Sequence, residues 1–125
     1  MDKKITSFTD LEAWKKGHDL VLFVYKITEK FPKKELFVLT SQIRRAAISV
    51  TSNIAEGFSR YSYKEKIQFY FMAQGSLSEL ENQILISKDI GYISEEMCNR
   101  FMEQSIEVQK IINGLIKGSR RILNS

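Results

Sequence analysis

The segment Leu39-Thr40-Ser41-Gln42-Ile43-Arg44-Arg45-Ala46-Ala47-Ile48-Ser49-Val50-Thr51-Ser52-Asn53-Ile54-Ala55-Glu56-Gly57 decides the fold. Its apolar residues Leu39, Ile43, Ala46, Val50 and Ile54 recur every three or four positions, the spacing of one face of an α-helix. Ala46, Ala47, Ser49 and Ala55 are small and let a neighbouring helix come close. Gly57 reads as the stop, because glycine tolerates the left-handed backbone that ends many helices. The start falls between Pro32 and Thr40.

Outward from this helix the same pattern repeats. Upstream, Thr9-Asp10-Leu11-Glu12 reads as a capping box, in which hydroxyl and carboxylate each take a backbone N–H of the other residue. Leu11, Trp14, Val21 and Tyr25 follow at helical spacing, with Leu20, Val24 and Ile27 alongside. That helix is expected to end near Lys30, since Pro32 disfavours helical backbone at Phe31. Downstream, Ser62-Tyr63-Lys64-Glu65 is a second box. The third helix runs to about Asp89 and stops at Gly91, with Ile67, Tyr70, Phe71, Leu77, Leu80 and Ile84 as its core. Ser94 caps a fourth helix whose first turn holds Glu95 and Glu96, favourable at the positive helix end. Met97, Phe101, Val108, Ile112 and Leu115 form its stripe, and it frays near Gly118.

Four helices of about 20–28 residues are each roughly 30–40 Å long. Short connections make neighbours antiparallel. The expectation is an all-α fold, an antiparallel up-down-up-down four-helix bundle forming a single domain over residues 1–125. Composition agrees: 43% of residues are hydrophobic, 27% are charged, and there are only six Gly and one Pro. Sheets of this size need more turn residues. No apolar run approaches the ~20 residues of a membrane span, and Met1-Asp2-Lys3-Lys4-Ile5 is too polar to begin a signal peptide. A lone cysteine, Cys98, cannot form an internal disulfide, which suits a cytoplasmic protein.

Motifs for chemistry are absent. Gly57, Gly75 and Gly91 are isolated, so no glycine-rich phosphate loop exists. One histidine and one cysteine cannot make an ordinary zinc site, and no Glu-x-x-His pair supports a di-iron centre. His18 reads as a hydrogen-bonded, partly buried residue near Trp14 and Tyr25, and Cys98 as a small apolar one. No catalytic residue, metal or cofactor is expected, and the chain reads as non-enzymatic.

Charge supplies the functional lead. The net charge is +4. The proposed topology puts the N-terminus, the loop between the second and third helices and the C-terminus at one end, called here the terminal end. Ten basic residues there face five acidic ones, a surplus of +5, against +1 at the other end and −2 between. The loop, Phe58-Ser59-Arg60-Tyr61-Ser62-Tyr63-Lys64-Glu65-Lys66, interleaves aromatic rings with cations. Cations meet phosphates, and aromatic faces stack on unpaired bases. Candidate nucleic-acid contacts are Arg60, Tyr61, Tyr63, Lys64, Lys66, Lys117, Arg120 and Arg121. The alternative is a solvated loop whose tyrosines pack back on the bundle.

A polar stripe also runs along the second helix: Gln42, Arg45, Ser49, Asn53, Glu56 and Arg60. Ser76, Glu79 and Gln83 form a facing run on the third. Arg45, Ser49, Asn53, Glu56, Ser76 and Glu79 are expected to make a structural network that penalises wrong packings, with Arg45 against Glu79 as one pair.

Several of these segments carry a family resemblance. Phe31-Pro32, the run Leu39 to Ala47, Asn53-Ile54-Ala55-Glu56-Gly57, Ala73-x-Gly75-Ser76-x-x-Glu79-Leu80, Gly91-Tyr92 and the early Phe8, Leu11, Trp14 spacing resemble the bacterial four-helix bundle proteins first noticed as products of intervening sequences in large-subunit ribosomal RNA genes. That family is similar to the accessory protein of diversity-generating retroelements, a homopentameric ring that binds a reverse transcriptase and nucleic acid. The resemblance points to Arg44, Arg45, Asn53, Glu56, Ser76 and Glu79 as framework residues, with Arg44 and the loop cations as alternative contact residues. Tyr61 and Tyr63 vary a loop that tolerates change. The resulting expectation is a homo-oligomer, pentameric on this resemblance, that binds structured RNA or DNA through its basic end. The alternative is a protein-interaction adaptor docking a partner enzyme such as a reverse transcriptase.

Overall fold

The computed structural model describes residues 4–125. Helix α1 spans Glu12–Thr28, α2 Leu39–Ser59, α3 Tyr63–Asp89 and α4 Glu95–Leu123. Single 3-10 turns, Phe8–Asp10 and Lys33–Glu35, precede α1 and α2. α1 packs on α2 and α4, and α3 packs on α2 and α4, while the backbones of diagonal helices stay farther apart. This is the four-helix bundle expected from the periodicity. Lys3 and Asp2, two of the charges assigned to the terminal end, lie outside the described residues.

Each helix contributes fully buried side chains: Leu20 and Val24, Ile43 and Ile54, Leu77 and Leu80, Phe101 and Ile112. Burying such a side chain stabilises by about 1.5–3 kcal/mol, so this stripe is the main source of cohesion. Ser62 and Ser94 cap α3 and α4, accepting from the N–H of Glu65 at 3.2 Å and of Met97 at 3.1 Å, but the return bond to the Glu65 carboxylate expected of a box does not form among the described residues. Gly91 takes φ +89, and Tyr92 N–H then donates to Ser87 O at 2.8 Å, closing α3.

Three expectations are corrected. The N-terminal cap lies two residues before Thr9, on the 3-10 turn: Ser7 Oγ accepts from Thr9 N–H at 3.2 Å, and Asp10 Oδ2 accepts from the N–H groups of Thr6 and Ser7. Those two backbone bonds hold the Asp10 carboxyl below its usual range. Leu11, in extended backbone, then begins α1 without a side-chain cap. Secondly, α4 passes through Gly118 and continues to Leu123.

Thirdly, Gly57 does not end α2. The helix runs on to Ser59, and Gly57 is buried. A Cβ there would lie 2.6 Å from Tyr70 Cε1 and 3.0 Å from Phe69 Cβ. Glycine is needed because α3 lies against the α2 backbone, not because the backbone turns left-handed.

Tyr25 and Phe71, expected in the core, are 38% and 43% exposed. Each carries a guanidinium on its ring, Arg44 at 4.6 Å and Arg120 at 5.1 Å. Arg44 Nε also donates to Thr28 Oγ1 at 2.9 Å, so this arginine ties α2 to α1.

Gly57→Ala is expected to destabilise the fold by about 1–3 kcal/mol, the usual cost of overpacking. Urea unfolding followed by circular dichroism measures it, and an unchanged midpoint would mean that the Tyr70 ring moves aside freely.

Candidate nucleic-acid interface

The link between α2 and α3 is only Arg60-Tyr61-Ser62. Arg60 leaves α2 in extended backbone, and Ser62 caps α3. The last turns of α4 pack beside this link. A cleft of about 420 Å³ lies between them, with Phe58, Tyr63, Lys66 and Tyr70 on one side and Leu115, Gly118 and Ile122 on the other. At this end of the bundle, Tyr63 and Lys66 therefore face the last turns of α4 across the cleft.

Within that end the cations divide into two groups. Arg60, Lys66 and Arg120 have partners inside the chain. Arg60 pairs with Glu56 at 3.3 Å and lies 4.6 Å over the Phe69 ring. Lys66 Nζ donates to Phe58 O at 2.6 Å and lies 5.3 Å from the Phe58 ring and 5.6 Å from that of Tyr63. Its burial pulls the ammonium below the usual lysine range. Arg120 sits over Phe71, as described. Lys64, Lys117 and Arg121 are exposed and make no ion pair or side-chain hydrogen bond among the described residues. Tyr61 is fully exposed, whereas Tyr63 is half-buried beside Lys66. Sequence reasoning missed Phe69 as a platform for Arg60; its neighbourhood in an aromatic run, Phe69-Tyr70-Phe71, was the available signal.

The polar stripe takes a different form from the expected one. Arg45 and Glu79 are both exposed and do not pair among the described residues. An exposed ion pair gains little over hydration, and Glu79 instead accepts from Gln83 Nε2 at 3.2 Å. The cross-helix contact is a hydroxyl pair, Ser49 with Ser76 at 2.8 Å. Asn53 Nδ2 donates to Ser49 O at 2.9 Å and to Ser49 Oγ at 3.1 Å, while Glu56 serves Arg60. Short side chains at 49 and 76 allow the helices to stay close at this level.

His18 stacks on Trp14, ring centroids 4.6 Å apart and planes within 15°, and makes no hydrogen bond among the described residues. Cys98 is buried. No cluster of three or more potential metal-ligating His, Cys, Asp or Glu side chains occurs among the described residues. No described helix is long and apolar enough to cross a membrane.

Residues 9–114 match the family described as 23S rRNA-intervening sequence protein. The chain belongs to that family. A protein of unknown function from the S23 ribosomal protein family of Bacteroides thetaiotaomicron VPI-5482 has a similar structure, with a TM-score of 0.74 and 23% identity over 84% of this chain and 98% of that one. At that identity the likeness establishes the fold. No curated protein matches the chain. Within this intervening-sequence family member, the α2–α3 link lies inside the matched region, whereas Lys117, Arg120 and Arg121 lie beyond it.

Tyr70 anchors the cleft. Burial, with a smaller contribution from Tyr63, pushes its hydroxyl up to about 12 from 10.0. The folded state therefore keeps this proton where the unfolded chain has lost it, and its contribution to stability falls as pH rises from 10 to about 12. Tyr70→Phe should show a shallower alkaline loss of stability in denaturant titrations over that window. Superimposable pH profiles would disprove the linkage.

Proposed function

We propose that the chain is a non-enzymatic, homo-oligomeric bundle that binds structured RNA through its terminal end. One feature carries this reading: Lys64, Lys117 and Arg121 are exposed and without ion pairs among the described residues, and Tyr61 of the α2–α3 link is fully exposed. Free cations release counterions when they meet phosphates, and an exposed ring stacks on an unpaired base. The family description names an intervening sequence of 23S rRNA, a gene setting with which an RNA ligand is compatible. A cytoplasmic location follows from that ligand and fits the single buried Cys98.

Self-association is supported by the outer side of α3. Met72, Leu85 and Ile86, with Ile90 at the C-cap, are between 39% and 53% exposed there. Apolar side chains in such number on one helix suit a contact between copies. A ring of five, the number the family resemblance implies, repeats the basic end five times and multiplies its field on a folded RNA.

Replacing Lys64, Lys117 and Arg121 together by serine tests the assignment. Fluorescence anisotropy with labelled structured RNA should show weaker binding. The slope of log affinity against log salt should become shallower by about 2–3, the contribution of three phosphate contacts. Unchanged affinity with an unchanged helical spectrum would remove the patch from the interface. Light scattering on the same sample gives the subunit number.

A further inference from the structure

A second surface lies at the other end of the bundle. A groove of about 490 Å³ runs between the α1–α2 connection and the first turns of α2, with Tyr25, Leu36, Phe37, Thr40, Arg45 and Ile48 among its walls. Phe37 is 89% exposed, and Leu36 and Ile48 are nearly half exposed. An aromatic side chain presented this openly beside aliphatic ones forms an apolar patch that lacks a cover among the described residues.

The polar side of the groove lacks a negative charge. α2 begins at Val38 with no side-chain cap, and its first turn contains no acidic residue. The N–H groups of that turn keep their partial positive charge. Thr40 is 3% exposed and lines the groove, yet its Oγ1 has no hydrogen-bond partner among the described residues. Arg45 is exposed and unpaired among them, whereas Arg44 is held by Thr28 and Tyr25. No carboxylate lines the groove.

We propose that this groove docks a partner protein through an apolar segment carrying a carboxylate. The acid sits at the start of α2, where the uncapped first turn, Thr40 and Arg45 border the groove. Apolar residues on either side of it pack on Phe37 and Ile48. Charge favours such an acidic partner over a second copy of this chain, which carries a net +4. The apolar content also favours protein over RNA: Leu36 and Ile48 are exposed aliphatic side chains beside Phe37, and a phosphate backbone offers them no partner, although Lys33 and Lys34 are exposed nearby. The proposal uses no residue of the terminal end and does not rest on the RNA reading.

The probe is a fluorescein-labelled amphipathic peptide of repeating Leu-Glu-Glu-Leu composition, compared with the same peptide carrying Gln for Glu. Anisotropy is read on the intact protein and on Arg45→Glu and Phe37→Ser, with mass by light scattering in parallel. The acidic peptide should bind, and the Gln version about tenfold or more weaker, the scale of a hydrogen bond to a charged group. Each variant should lose a similar factor while mass and helical spectrum stay unchanged. The assignment is overturned if wild-type protein binds neither peptide, if both bind equally, or if the variants bind like wild type. A fall in mass of Phe37→Ser would give the groove to a second copy, and displacement of the peptide by structured RNA would give it to phosphate. Either result also overturns it.

Discussion

The ring of Tyr70 rests against the backbone of α2 at Gly57, and most of the terminal end depends on that close approach. With no side chain at 57, α3 can lie close against α2, and the three residues Arg60-Tyr61-Ser62 suffice to join them. Ser49 and Ser76 continue the same economy of size further along the seam, meeting through their hydroxyls. Once the helices are this close, Lys66 on α3 reaches the carbonyl of Phe58 on α2. The link is thus shaped by packing beneath it, and the exposed Tyr61 and Lys64 are presented from a rigid base.

The chemistry of that end is set by which cations are already engaged. Arg60, Lys66 and Arg120 contribute to the local field, but rings, a carboxylate or a carbonyl occupy their donors or faces. Cations on aromatic faces contribute to cohesion as well as charge. Lys64, Lys117 and Arg121 have no such duty among the described residues. Counting charges by region therefore overstates the donors open to a ligand.

Much of the architecture was legible because helical periodicity is a property of the chain itself. Ser62, Ser94 and Gly91 could be read because capping and left-handed termination act within a few residues. Errors arose where one residue type serves two physical roles. Gly57 was read as a helix stop, yet it is a point of close approach. Overlapping Ser/Thr-x-x-acid patterns at Ser7 and Thr9 hid the true cap. Tyr25 and Phe71 have core-like spacing but serve as platforms for Arg44 and Arg120, and Arg120 is far away in sequence. Nor could the pattern reveal that Arg45 and Glu79 stay apart, because that choice depends on hydration at two exposed sites. The uncovered Phe37 needed the structure, since a short apolar run beside Pro32 reads equally well as buried.

The three-residue link also has a consequence for the order of assembly. Helices α2 and α3 are neighbours in sequence, so bringing them together closes a very small loop at low entropic cost. The contact between α1 and α4, by contrast, joins the two ends of the fold and closes the longest loop. Lys117 and Arg121 ride on α4, whereas Tyr61 and Lys64 belong to the α2–α3 hairpin. A partly folded chain with only that hairpin formed would hold half of the basic surface. The complete surface exists only once α4 has docked, so the ligand binding proposed for this end would also check that the whole bundle has closed.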